Sequence, residues 1–96
     1  MRKTYVVTYD ICEASRLRRV YRIMLGYGEH LQYSVFRCEL SDREVIELRE
    51  RLDMVIHHLE DQVLFVDIGP ADGKARRAFQ AVGRAYDHEE KRVIVV

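Results

Sequence analysis

Between residues 3 and 68 the hydrophobic period switches back and forth between two residues and about 3.6. A chain patterned this way lays amphipathic helices across a sheet, so an α+β sandwich is the class within its reach. The first period-two run covers residues 3–10 and contains YVVTYDI over 5–11. Tyr5, Val7, Tyr9 and Ile11 share one face there; Val6, Thr8 and Asp10 share the other. Asp disfavours strands, and a desolvated carboxylate needs a partner. Asp10 therefore stands out at the end of that strand.

Ser15 reads as the N-cap of a helix over 16–26, with Leu17, Val20, Tyr21, Met24 and Leu25 as its apolar stripe. Arg18, Arg19 and Arg22 fall on the opposite side and Arg16 on the flank. Gly26 and Gly28 are suitable stops. Residues 30–39, HLQYSVFRCE, read as one second strand, with Leu31, Tyr33 and Val35 opposed to Gln32, Ser34, Phe36 and Cys38. Ser41 and Glu44 form a capping box for a second helix running to about residue 58. Its apolar face carries Val45, Leu48, Leu52, Val55 and Leu59. Residues 62–68 make a third strand, with Val63 and Phe65 opposed to Leu64 and Val66, and a Gly-Pro loop follows. Residues 74–86 are ambiguous: 74–77 suit the start of a helix and 78–82 a fourth strand. A turn at 87–90 leads to a final apolar strand over 91–96.

Residues 38–41 leave no room for a hairpin before the second helix, so that helix joins the second and third strands. A βαββαβ order returns only if 78–82 is strand and part of 71–77 is helical. Helices on one face leave a semi-polar second face holding Val6 and Phe36, which invites a partner. The apolar edge 93–96 calls for pairing too. A homodimer is inferred, the last strand adding to the other subunit's sheet.

The chain has 96 residues, a length suited to one domain over 1–96 with a thin margin of stability. Sixteen basic and sixteen acidic residues give no net charge, which argues against a generic basic nucleic-acid binder. The distribution is uneven. Residues 1–37 hold seven basic against three acidic residues, and residues 38–67 three against nine. The basic third either attracts phosphate or is a solvated helix face. The two cysteines, Cys12 and Cys38, form no CxxC, and Met1 runs directly into the first strand. A cytoplasmic protein with free thiols is expected. No apolar run approaches the ~20 residues that span a membrane.

Asp10 lies at the carboxyl end of its strand, before the arginine-bearing helix, where α/β units open a crevice. Near a two-fold axis two copies of it need a shared proton or a cation. Mg²⁺ binds one or two carboxylates, keeps its waters and meets phosphate. The alternative is a structural Asp10 that caps the loop or pairs with Arg19. Glu13 suits the first helical turn as a dipole partner, and His57 and His58 suit a helix C-terminus. Cys12 reads as a small buried residue. Tyr5, Tyr9 and Phe36 either stack bases or, at strand spacing, sit in the core or a dimer interface.

YVVTYDI, the helix opening Arg16-Leu17-Arg18-Arg19-Val20, Gly26-Tyr27-Gly28 and Gln32-Tyr33-Ser34-Val35-Phe36 together resemble the CRISPR-associated protein 2 family. The resemblance covers nearly the whole chain. It implies a ferredoxin-like βαββαβ sandwich, with an antiparallel sheet, two helices on one face and a C-terminal strand paired with the partner subunit. It places the second helix between the second and third strands and makes 78–82 a short fourth strand after an irregular turn. It implies a homodimeric Mg²⁺-dependent endonuclease, with Mn²⁺ as substitute, acting on single-stranded RNA or double-stranded DNA. Asp10 becomes the metal ligand and, with Arg19, the catalytic pair. Arg19 matches the family's helix, Arg16 and Arg18 straddle its other basic position, and with Arg22 these arginines are the candidate nucleic-acid contacts. Tyr9, Ser34 and Phe36 match the remaining motif. The resemblance further implies a role in spacer acquisition, bridging the CRISPR-associated protein 1 integrase beneath captured DNA. A non-catalytic scaffold and a toxin-type ribonuclease remain alternatives. A small-molecule regulatory module is disfavoured, because Ile11 to Ser15 contains no glycine for a ligand loop.

Overall fold

The computed structural model describes residues 1–85. The elements run β1 (Arg2–Asp10), α1 (Ala14–Leu25), β2 (Glu29–Gln32), β3 (Val35–Ser41), α2 (Asp42–Asp53), β4 (Gln62–Pro70) and α3 (Gly73–Arg77). The four strands form one antiparallel sheet in the order β2-β3-β1-β4. This is the ferredoxin-like βαββαβ layout. The turn expected at 87–90 and the strand expected at 91–96 lie outside the described residues.

The single strand expected over 30–39 is two strands. β2 and β3 form a hairpin turned at Tyr33 and Ser34, with His30 opposite Phe36 and Gln32 opposite Val35. Two-residue turns usually advertise themselves with Gly or Asn at positive φ. Here Tyr33 takes that position at φ 27°, fully in solvent, and its carbonyl meets His30 Nε2 at 2.8 Å. A tyrosine among β-formers hides the turn. The hairpin therefore precedes Ser41, and α2 joins β3 to β4. The fold does not need a strand at 78–82, and residues 78–85 form no regular element. The helical start expected at 74–77 is α3, capped by Asp72.

Helix boundaries differ for local reasons. Ser15 is not the N-cap of α1: Glu13 is, accepting from the N–H groups of Ser15 and Arg16 at 3.0 and 2.9 Å. The Ser15 hydroxyl donates to the same carboxylate at 2.7 Å, so it supports the cap rather than forming it. The capping box of α2 is present in both directions, 2.8 Å from Ser41 N–H to Glu44 Oε1 and 3.2 Å from Glu44 N–H to Ser41 Oγ. The end of α2 comes at Asp53 rather than near 58. The His57 N–H, which a longer helix would aim at Asp53, donates instead to Asp61 Oδ2 at 2.8 Å. Leu59 is consequently exposed in a turn, and His57 and His58 lie beyond the helix.

The core gathers Val7, Tyr9, Val20, Met24, Phe36, Cys38, Leu40, Leu48 and Leu52 between the helices and one sheet face. Phe36 stands opposite Val7 and Cys38 opposite Tyr5. Both belong to the helix-covered face, which corrects the expectation that Phe36 lies on the second face. The register of β3 follows from Ser34, whose carbonyl accepts from Tyr9 N–H at 3.1 Å. Leu64 and Val66 of β4 point to the other face and stay half-exposed. Within the α1 stripe Val20 and Met24 are buried, while Leu17 and Leu25 reach solvent. Gly28 passes so near β3 that a Cβ would sit 2.5 Å from the Arg37 carbonyl oxygen. The glycine is there for close approach as well as for helix termination.

Candidate functional site

The strand that carries Asp10 is central, held by β3 on one side and β4 on the other. Asp10 is its last residue, laddered to Gln62 at the start of β4. The side chain is exposed, and among the described residues no hydrogen bond or ion pair reaches it. The alternative of a cap or a pair with Arg19 is not what the structure holds.

Tyr9, the residue before Asp10, joins an aromatic group. Tyr9 stacks on Phe36 with ring centroids 6.2 Å apart, Tyr21 meets Phe36 edge-on at 5.8 Å, and His30 lies 5.1 Å from Phe36. Tyr9 and Phe36 are buried. Burial, aided by the Tyr21 phenol, pushes the Tyr9 hydroxyl up to about 12. These rings are packing elements under the strand end, so Tyr9 and Phe36 belong to the core rather than to a base-stacking surface. Tyr5 likewise packs edge-on against Phe65 at 6.4 Å. Ser34 contributes backbone to the same place through Tyr9.

The arginines divide into two kinds. Arg18, Arg19 and Arg22 are exposed on α1, and no described residue pairs with them. Arg16 is engaged. Its Nε donates to Asp61 Oδ2 at 2.8 Å, and its Nη2 reaches Asp61 Oδ1 at 3.3 Å and Glu60 Oε1 at 3.1 Å. The Asp61 side chain is 0% exposed and that of Arg16 only 20%. The Arg16 guanidinium, then the N–H groups of His57 and Cys12, hold the Asp61 carboxyl well below the usual carboxylate range. Asp61 in turn raises Arg16. Sequence reasoning misses Asp61. Its only signal is an acid just before a strand, a position with no distinctive pattern.

Cys12 corrects its expectation. It is exposed in the loop after β1, its thiol donating to the Glu60 carbonyl at 3.0 Å. The buried thiol is Cys38, pushed up to about 12 by that burial. Among the described residues no three His, Cys, Asp or Glu side chains gather as a metal group. No helix among them is long and apolar enough to cross a membrane.

The Ser15 hydroxyl and the N–H groups of Ser15 and Arg16 lower Glu13 to about 2, and Asp61 is lowered further by Arg16. Lowered carboxyls contribute stability above the unfolded value, 3.8 for Asp61 and 4.5 for Glu13, and lose it as pH falls toward the folded value. Thermal unfolding should therefore show a Tm that falls below pH 4.5, with a smaller fall in Asp61→Asn. An equal fall in both proteins would remove Asp61 from the acid response.

The sequence matches the family model described as CRISPR associated protein Cas2 over residues 3–76. A protein of Geobacter sulfurreducens named CRISPR-associated endoribonuclease Cas2 is 33% identical over 96 residues, the full length of both chains. One of Rhodospirillum rubrum, named CRISPR-associated endoribonuclease Cas2 1, is 36% identical over 92 residues, 96% of this chain and 89% of its own. The crystal structure of Streptococcus pyogenes Cas2 superposes with a TM-score of 0.72 at 27% identity, covering 83% of this chain and 99% of that one. A family model over most of the chain and relatives matched along nearly their whole length show that the chain belongs to the CRISPR-associated Cas2 family.

Proposed function

We propose that the chain is a homodimeric, metal-dependent endonuclease of CRISPR adaptation whose metal is held at Asp10. The observation that carries this is the exposed Asp10 carboxylate, fixed by its ladder pair with Gln62 and bonded by no described side chain. Its donor chemistry fits Mg²⁺ or Mn²⁺: hard carboxylate oxygens in water, where such an ion keeps several aqua ligands. One chain offers one such carboxylate, and a two-fold pair of chains offers two. Bound there, the ion supplies charge neutralisation at the phosphate and lowers the pKa of a water. Arg18, Arg19 and Arg22 supply cations to hold phosphodiester oxygens, and Arg19 takes the scissile group, as the family resemblance implies.

Single-stranded RNA is the first substrate to test, because relatives at 33% and 36% identity are named endoribonucleases; duplex DNA is the second. Purified protein with labelled RNA and DNA in Mg²⁺, Mn²⁺ or EDTA decides between them. Cleavage that persists in EDTA, or none with either substrate, overturns the metal-nuclease reading.

A second reading is favoured by the exposed arginine face of α1, which is independent of Asp10. There the dimer holds DNA and bridges the CRISPR-associated protein 1 integrase. Arg18→Ala, Arg19→Ala and Arg22→Ala combined should weaken duplex binding. The slope of log affinity against log salt should become shallower by about 0.9 for each phosphate that the variant no longer neutralises. Unchanged affinity and slope would take α1 out of the interface.

A further inference from the structure

Asp61 accepts four hydrogen bonds from described residues. Oδ1 accepts from Cys12 N–H at 2.9 Å and from Arg16 Nη2 at 3.3 Å; Oδ2 accepts from Arg16 Nε at 2.8 Å and His57 N–H at 2.8 Å. Those donors come from the loop that follows Asp10, from the first turns of α1 and from the turn before β4. Asp61 also immediately precedes Gln62, the residue laddered to Asp10. One buried side chain thus holds the chain two residues after Asp10, while its own backbone leads into the strand pairing with Asp10.

Asp10 has no side-chain bond of its own among the described residues, so the position of its backbone is what limits where its carboxylate reaches. Whatever sets the backbone on both sides of Asp10 sets where a ligand at that carboxylate sits. We infer that Asp61, clamped by Arg16, is the positioning residue for Asp10. Arg16 belongs to this clamp rather than to the phosphate-binding face formed by Arg18, Arg19 and Arg22. The inference rests on the nuclease reading above for its catalytic consequence, and on geometry alone for its structural one.

Asp61→Asn keeps the size but not the chemistry. One amide oxygen still accepts from a single side of the clamp. The amide NH₂ on the other side faces N–H donors, either Cys12 and Arg16 Nη2 or His57 and Arg16 Nε, and repels them. A displacement of about 1 Å at a reacting group lowers turnover by about 10²-fold. The expected result for Asp61→Asn at a temperature where it is folded is therefore a kcat lower by about 10²-fold. KM for RNA should stay within about threefold, because the α1 arginines are untouched. Arg16→Gln should behave alike, and the double variant should be no worse than the worse single, as for two groups acting through one interaction. Leu48→Ala, a core cavity in α2, is the control: it lowers Tm without lowering kcat at temperatures where it is folded.

Two readouts need no turnover. Backbone amide signals of Asp10 and Cys12 should move in Asp61→Asn and stay put in Leu48→Ala. Mn²⁺ affinity, read by water-proton relaxation, should fall in Asp61→Asn. If wild type cleaves and Asp61→Asn cleaves equally well, or loses rate only in proportion to its unfolded fraction, the positioning role is overturned and the nuclease reading stands. If wild type does not cleave while the Asp10 amide signal still moves, the nuclease reading fails and the clamp stands. Unmoved Asp10 and Cys12 signals overturn the clamp.

Discussion

Asp10→Asn is expected to lower metal-dependent cleavage by at least about 10³-fold while Tm and the circular dichroism spectrum stay at wild-type values. The size of the loss follows from the charge. A metal at the phosphate contributes several kcal/mol of transition-state stabilisation, and each ~1.4 kcal/mol is tenfold in rate. Asn keeps the shape but gives up the anionic donor. The stability half of the expectation is equally specific. Asp10 is exposed and bonded to no described side chain, so removing its charge breaks no structural interaction. Surface changes of that kind stay within about 0.5 kcal/mol. Cleavage assays beside thermal melts check both halves, and full activity in the variant would take Asp10 out of the chemistry.

Phe36→Ala is expected to act the other way, through the fold. Phe36 is 0% exposed and touches Tyr9, Tyr21 and His30 within the core. Removing such a ring costs about 3–5 kcal/mol, from lost transfer energy and the cavity left behind. For a domain of this size that is a Tm lower by at least about 12 °C. Activity per folded molecule should be retained in the cold. Phe36→Leu should cost under about 1.5 kcal/mol if the site can repack. A Tm within a degree or two of wild type in Phe36→Ala would contradict the core assignment and return Phe36 to the nucleic-acid surface.

Much of this architecture is legible from local pattern. Strand alternation places Val7 and Tyr9 on one face, the capping box marks the start of α2, and the 3.6 period finds Val20, Met24, Leu48 and Leu52, all buried. Each of these is decided within a few residues by backbone periodicity or by a side chain bonding its own turn. The hairpin is not legible, because its turn uses Tyr33 at φ 27° where glycine or asparagine would have signalled it. Reading one strand there carries Phe36 to the wrong face, since a slip of one residue exchanges the faces. Cys12 and Ser15 mislead for a related reason: each lies where a carboxylate close by in sequence or in space takes over the backbone.

At the site, local pattern supplies the candidates: a carboxylate ending a strand, a helix carrying arginines after it, and a motif shared with a known family. It could not say which arginines were free. Arg16, Arg18, Arg19 and Arg22 look alike as letters in one helix. Only the tertiary structure brought Asp61, 45 residues away, against Arg16 and left the other three in solvent. Asp61 also accepts from His57 N–H beyond the end of α2 and from Cys12 N–H after Asp10. Long-range pairing of buried charge leaves no periodic trace, because neither partner needs a particular neighbour in sequence. It needs only the fold to deliver the other, and here packing α1 beside the approach to β4 does so.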